Sequence, residues 1–188
     1  MQHTDPATLA FLRHRRSHPP KLLSGPPPER QELMNLLELG ARVPDHGKLE
    51  PWRFLVLERA TLDRLAPLLA AQVRAAGGDE AAAEKARSAF DSPLIVAVVS
   101  APVASPKVPE WEQFLSAGAV CLELLNAALA AGYGAAWLTG PAAEPEFARA
   151  HLGLAEGERV VGLIHIGQRG AAPPERPRPD VAAKTQFL

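Results

Sequence analysis

The chain has 188 residues, enough for one domain or for one domain with a short appendage. Twenty Lys and Arg stand against 21 Asp and Glu, a formal net charge of -1, so the basic excess that a nucleic acid or an anionic membrane asks of a partner is missing. Hydrophobic residues make up 47% and charged residues 22%, with 14 Gly and 19 Pro, which excludes a disordered chain and describes a loop-rich globular one. There are 34 Ala but only 10 aromatic residues, so the core relies on close helix packing, and a partner surface would help to complete it. Cys121 is the single cysteine, so no internal disulfide forms. The first 16 residues hold no apolar run of signal-peptide length, and a soluble cytoplasmic protein is expected.

In chain order, Asp5-Pro6 predicts a short helix, with Asp5 as cap, Pro6 in the first turn, and Leu9 and Leu12 on one face. It runs into Arg13-His14-Arg15-Arg16-Ser17, and Pro19, Pro20, Gly25 and Pro26 to Pro28 then enforce an extended loop. A second helix begins near Pro28, with Leu33, Leu36, Leu37 and Gly40 on one face, and ends by Val43 because Pro44 disfavours helical geometry before it. The loop 44–51 is bounded by Pro44 and Pro51. Residues 52–58 read as a strand, 61–76 and 80–90 as helices, and 93–99 as an interior strand apolar on both faces. After a proline-rich loop, residues 111–131 form the longest helix, closed by Gly132 and expected to be buried nearly all round, with Glu123 and Asn126 in need of partners. Its apolar run, residues 117–131, is shorter than a membrane span and carries a carboxylate, so it reads as a core helix. Residues 133–139 form a strand, Glu144-Pro145 starts a short helix, and 159–167 form the last strand. Residues 168–188 are a proline-rich arm, expected to hold no helix and to lay its apolar tip, Phe187-Leu188, on its own domain or a neighbour's. The whole is α+β around one sheet.

Several kinds of chemistry are missing. There is no GxxxxGK[ST] loop, and Gly132-Tyr133-Gly134 is followed by Trp137 where a dinucleotide fingerprint needs its third glycine. The histidines show no metal spacing, one cysteine builds no zinc site, and no GxSxG elbow occurs. A phosphate must therefore be held by cations or helix ends. Arg15-Arg16-Ser17 sets two guanidiniums beside a hydroxyl, a group that matches phosphate oxygens; a solvated arginine run is the alternative. Arg42-Val43-Pro44-Asp45-His46 fixes a cation and an imidazole in a stiff loop; a helix end with Arg42 on the last carbonyls is the alternative. Cys121, Trp52, Trp111 and Trp137 read first as packing residues, and His165 as a satisfied, half-buried side chain.

Four stretches together resemble the FMN-dependent nitroreductase family, closest to its minimal bacterial YdjA-type members. They are Arg15-Arg16-Ser17; residues 42–52 from Arg42 through Pro51-Trp52; Lys107 to Gln113 with Ser116-Ala117-Gly118; and residues 130–140 around Gly132-Tyr133-Gly134 and Trp137-Leu138-Thr139. Their order and spacing span residues 9–167. The resemblance implies an α+β nitroreductase-like fold: a central, mostly antiparallel mixed sheet flanked by helices, in one domain over 1–188. It also implies an intertwined homodimer whose arm, residues 168–188, lies on the partner.

The same resemblance implies two FMN molecules in the subunit interface and a hydride taken from NADH or NADPH. The hydride passes by a ping-pong cycle through flavin N5 to nitroaromatic, quinone or related acceptors, with no protein nucleophile. By position, Arg15, Arg16 and Ser17 match FMN phosphate and ribityl contacts, and Arg42 and His46 match flavin contacts from the same or the other subunit. Trp137, Leu138 and Thr139 match a later flavin-contacting stretch. Ala127, Ala128, Leu129, Ala130, Ala131 and Gly132 match a segment associated with the nicotinamide nucleotide. Two departures bear on acceptor choice and cofactor affinity: His18-Pro19-Pro20-Lys21 where relatives carry another basic residue, and Leu138 where close relatives often do. An FMN-binding protein with little turnover, acting as carrier, sensor or flavin-metabolism protein, is the alternative function.

Overall fold

The computed structural model describes residues 4–188; the first three residues, His3 among them, lie outside the described residues. Helix α1 spans Pro6–His14, strand β1 Leu23–Ser24 and α2 Arg30–Gly40. Strand β2 (Trp52–Glu58) leads into α3 (Arg59–Ala75) and α4 (Glu80–Ser88), and β3 (Leu94–Ser100) into α5 (Glu110–Ala130). Strand β4 (Gly134–Leu138), α6 (Pro145–Leu152) and β5 (Arg159–Arg169) complete the set.

Local chemistry sets the helix starts. Asp5 accepts hydrogen bonds from Ala7 N and Thr8 N, and Asp79 accepts one from Ala82 N at 2.8 Å. Glu29 and Glu32 form a reciprocal capping box at the head of α2. Helix α3 begins two residues earlier than its apolar spacing suggests and keeps Pro67 on an exposed position.

All strand pairings are antiparallel, in the order β1-β5-β3-β2, with β4 also on β5. Strand β3 is buried along its whole length, as its two-faced apolar run requires. Its residues alternate between two cores. Leu94, Val96 and Val98, with Ile164 and Ile166 of β5, meet α2 and α5. Ile95, Ala97 and Val99, with Leu163, meet Leu62, Leu65 and Leu69 of α3, Phe90, and Phe147 of α6. Helices α2 and α5 cross closely at Gly40, where an added Cβ would stand 2.9 Å from Leu124 Cβ. Small residues at crossings let a ring-poor core close.

Four expectations are corrected. Strand β1 lies inside what reads as a proline loop, because its two residues pair with Gln168 and Arg169 at the far end of β5. The arm, expected to hold no helix, makes one 3-10 turn at Ala182–Lys184, beyond the last proline, Pro179. His165, expected half-buried, is fully enclosed and bonds Ser92 Oγ through Nδ1 at 2.7 Å. Helix α5 is not buried all round: one sheet covers one side, and Trp111 (65% exposed), Leu115 and Leu122 stand open on the other.

Candidate functional site

The first cluster grows from the end of α1. Arg15 leaves the helix in extended geometry, its N–H bonded to Phe11 O at 2.8 Å, and Arg15 Nη2 reaches Ser17 Oγ at 3.4 Å. Arg15, Arg16 and Ser17 then line a small cavity of about 110 Å³ together with Arg176 and Arg178 of the arm. Arg16 donates to Pro174 O and pairs with Glu175 at 3.4 Å, while Arg178 pairs with the same carboxylate at 2.9 Å. Four guanidiniums thus line one cavity, and only two of them, Arg16 and Arg178, pair with its one neighbouring carboxylate, Glu175. Arg15 Nε is buried and has no hydrogen-bond partner. Burial, then the charges of Arg178 and Arg16, lower the Arg15 pKa from its usual value. Guanidinium does not shed its proton in a protein, so the crowding remains as a demand for an anion.

Arg176 and Arg178 escape a reading of the sequence as a linear string. The signal was there: alternate residues of an extended chain share a side, and Pro177 keeps these two extended. What the string does not show is that the arm folds back over residues 158 positions earlier.

The second cluster is the loop 44–51 against the first turns of α5. Gly47, Lys48 and Glu50 hold φ of 77°, 54° and 48°, and two of the three are not glycine. The Asp45 carboxylate pins this turn, accepting from Leu49 N at 3.2 Å and Glu50 N at 2.8 Å. Ser116 Oγ donates to Pro44 O at 2.6 Å, and one helical turn away Glu112 Oε1 meets His46 Nδ1 at 2.7 Å. Buried Gln113 ties the preceding loop to the helix through Val103 N, Val103 O and Val108 O. A cavity of about 460 Å³ opens between loop and helix, lined by His46, Glu112 and Ser116. Arg42 bonds through its backbone N–H to Leu39 O, and among the described residues its exposed guanidinium takes no partner. It does not close the carbonyls of α2 with its side chain.

Trp137, Leu138 and Thr139 are exposed at the end of β4. The indole lies over β5 where Gly162 lacks a side chain: an added Cβ there would stand 2.1 Å from Trp137 Nε1 and 2.9 Å from Cys121 Sγ. Cys121 is buried, and desolvation pushes its thiol up to about 12, which fits packing. Of residues 127–132, Ala127, Ala128 and Leu129 face the core and leave only Ala130, Ala131 and Gly132 exposed to a ligand. Arg169 closes this helix end, donating to Leu129 O at 3.0 Å. His18 is buried, its backbone N–H donating to Ala135 O at 2.8 Å, and Lys21 is exposed in the turn that follows. The two cavities share no lining residue and Arg42 lines neither, so within one chain no cavity brings Arg15, Arg16 and Ser17 together with Arg42 or His46.

The chain is similar to known proteins over most of its length. The model of the family described as "Nitroreductase family" matches residues 12–168. The chain is 38% identical over 160 residues to "Putative NAD(P)H nitroreductase YdjA" of Escherichia coli K12, covering 85% of this chain and 86% of that protein. It is 37% identical over 162 residues to a Haemophilus influenzae protein bearing the same NAD(P)H nitroreductase description, with the same shares covered. Among solved structures, a nitroreductase-like family protein from Bacillus cereus superposes with a TM-score of 0.78 at 22% identity, covering 100% of this chain and 99% of that one. A nitroreductase with bound FMN from Bacteroides fragilis superposes with a TM-score of 0.75 at 21% identity, covering 98% and 100%.

Proposed function

This chain belongs to the nitroreductase family, and on that premise we propose that it is an FMN-dependent NAD(P)H oxidoreductase that reduces nitroaromatic, quinone or related acceptors in a ping-pong cycle. The observation that carries the reading is the buried, unpartnered Arg15 Nε in a pocket of four guanidiniums. That donor set fits the terminal phosphate of FMN, since an anion there relieves the mutual repulsion of the arginines and takes the orphaned N–H. Arg15, Arg16 and Ser17 would hold the phosphate, and Arg176 and Arg178 would close over it.

Bound FMN supplies hydride transfer, accepting from NAD(P)H and giving to the acceptor. The chain's own residues bind and orient. Arg42, with its charge unspent, would favour the negative charge that reduction brings to a flavin. His46 offers its ring from a fixed loop, Trp137, Leu138 and Thr139 present an open strand end, and Ala130 to Gly132 are the exposed part of the nicotinamide segment.

The protein acts as a homodimer in this reading. The open stripe Trp111, Leu115 and Leu122 on α5, joined by Leu9 and Leu12 on α1 and Met34 and Leu39 on α2, supports a self-complementary surface. Pairing two copies would let residues 42–46 of one chain meet the guanidinium pocket of the other, and would let the exposed arm, 168–188, lie on the partner. The single buried thiol requires no oxidising compartment, in keeping with the cytoplasm.

Anaerobic mixing tests the function. Purified, FMN-loaded protein should bleach within seconds on addition of NADH or NADPH and recolour when a quinone or nitroaromatic is added. Yellow protein that neither nucleotide bleaches would leave a flavin carrier or sensor instead.

A further inference from the structure

Resting on the flavin reading above, we propose that Glu112 is a positioning residue that fixes the imidazole of His46, so that the ring carries its proton on Nδ1 and turns Nε2 outward to accept a hydrogen bond from the bound ligand.

The pair joins two elements 66 residues apart, with Glu112 Oε1 2.7 Å from His46 Nδ1. A carboxylate only accepts, so this contact places the hydrogen on Nδ1 and leaves Nε2 of the neutral ring as a bare acceptor. The His46 side chain is 57% exposed, and its Nε2 has no partner among the described residues. Nε2 is therefore free to bond a ligand, and His46 and Glu112 both line the same cavity.

Holding the loop is not what the pair is for. Ser116 already anchors Pro44, and Asp45 already closes the turn through Leu49 N and Glu50 N. Asp45 is spent on those amides and leaves the imidazole to Glu112. Lys48 and Glu50, the other charged residues of this turn, are exposed and form no ion pair among the described residues. An exposed ion pair adds little to stability, so the contact between Glu112 and His46 is poorly explained as a staple. Lys48 and Glu50, neither of them glycine, are held in left-handed geometry, and strain of that kind persists where surrounding contacts over-determine a loop beside a ligand. A histidine whose far nitrogen is bonded to a carboxylate is the arrangement that fixes ring direction and tautomer at ligating sites. The groups of FMN that such an acceptor suits are its ring N–H and its ribityl hydroxyls.

The test uses nitrogen NMR on the full-length protein labelled at histidine, before and after FMN is added, together with FMN affinity by fluorescence quenching. In the parent protein, at a pH where the ring is neutral, His46 should show a protonated Nδ1 and an unprotonated Nε2. In Glu112→Ala the signals should move toward the Nε2–H form that free imidazole side chains prefer. FMN binding should weaken about tenfold, the low end of what outer-shell partners of ligating histidines contribute. The double variant Glu112→Ala with His46→Ala should bind FMN no worse than His46→Ala alone. Should Glu112→Ala fold poorly, Glu112→Leu fills the space without an acceptor and should move the same signals in the same direction. Unchanged His46 signals in a folded Glu112 variant would overturn the proposal, as would additive losses in the double variant. Arg15→Ala separates the two claims. If it too leaves FMN affinity untouched, the flavin reading fails; if it weakens FMN while the Glu112 variants do not, only the role of Glu112 fails.

Discussion

The two faces of the sheet are finished in different ways. On one, α3, α4 and α6 close over Leu62, Leu65, Leu69, Phe90 and Phe147, and Leu68 alone among their large apolar side chains is exposed. On the other, α2 and α5 bury an equally dry core, and Phe11 of α1 packs against it. Yet the same three helices leave Leu9, Leu12, Met34, Leu39, Trp111, Phe114, Leu115 and Leu122 open. The candidate site residues named by the sequence follow or belong to this second layer or lie at the end of β4, and Arg176 and Arg178 join them from the arm. The closed face is what the chain completes by itself. The open face carries unspent charge, a strained loop and apolar surface, the three things that a ligand and a second copy would satisfy.

The largest effect that would break this division is a cavity on the closed face. Phe147 is fully buried, its ring 6.2 Å from that of Phe90 and 4.7 Å from that of His151. Phe147→Ala should cost about 3–5 kcal/mol in urea unfolding, the usual range for a deleted core ring. FMN affinity per folded molecule should not change, and a loss of affinity as large as the loss of stability would show that the faces are coupled.

The closed face should also carry the main acid sensitivity. Burial pushes His165 from its ordinary 6.5 down to about 4, so the folded state keeps the ring neutral where the unfolded chain protonates it. The unfolded state binds more protons in that window. Stability fully present above about pH 6.5 is therefore lost as the pH falls toward 4, by roughly 3 kcal/mol. His165→Asn, which retains an acceptor for Ser92, should flatten this part of the curve. An equally steep curve in the variant would place the sensitivity elsewhere.

On the open face the largest single loss should come from Arg15. Arg15→Ala removes a charge-assisted contact to phosphate worth about 1.5–3 kcal/mol, a drop in FMN affinity of about tenfold to about 150-fold. Because the four arginines repel one another, the FMN-free protein should be no less stable for the change. Equal affinity by fluorescence quenching would remove Arg15 from the site.

The closed face was also the more legible one in the sequence. Its helices α3 and α4 and the strands β2, β3 and β5 were legible to within a few residues, because a buried face leaves its pattern in the residues that make it. The misses have a common cause. Strand β1 and the pairing of Arg15 with Arg176 and Arg178 are long-range meetings of segments without a period of their own. The open side of α5 was misjudged because composition gives the apolarity of a helix and not how much surface the rest of the fold can spare to cover it. The Arg15 cluster and the loop of Arg42 and His46 were visible as local motifs, and the hydrogen bond from His46 to Glu112 was not, since 66 residues separate its ends.

The smallest effect concerns Arg42, and it sharpens the comparison most, since it asks whether charge on the open face is tuned to a ligand or merely solvated. The loop that follows is stiffened by Pro44 and Pro51 and tied to α5 by Ser116, so Arg42 projects from a fixed base. Its guanidinium takes no partner among the described residues, which removes the helix-capping role that the sequence alone left open. Reduction adds negative charge to a flavin, and a nearby cation that cannot lose its proton favours the reduced state. Arg42→Ala should then lower the midpoint potential by tens of millivolts, where about 30 mV corresponds to about 1.4 kcal/mol for a two-electron couple. Reduction by NAD(P)H should slow in the same variant while thermal stability stays level. His46→Ala should do the reverse, weakening FMN retention more than it moves the potential, because an imidazole offers a hydrogen bond where a guanidinium offers a permanent charge. Spectroelectrochemistry of both variants beside the parent decides it: an unshifted potential in Arg42→Ala with FMN still bound would make Arg42 a solvated surface charge and leave His46 as the only ligand-directed residue of its loop.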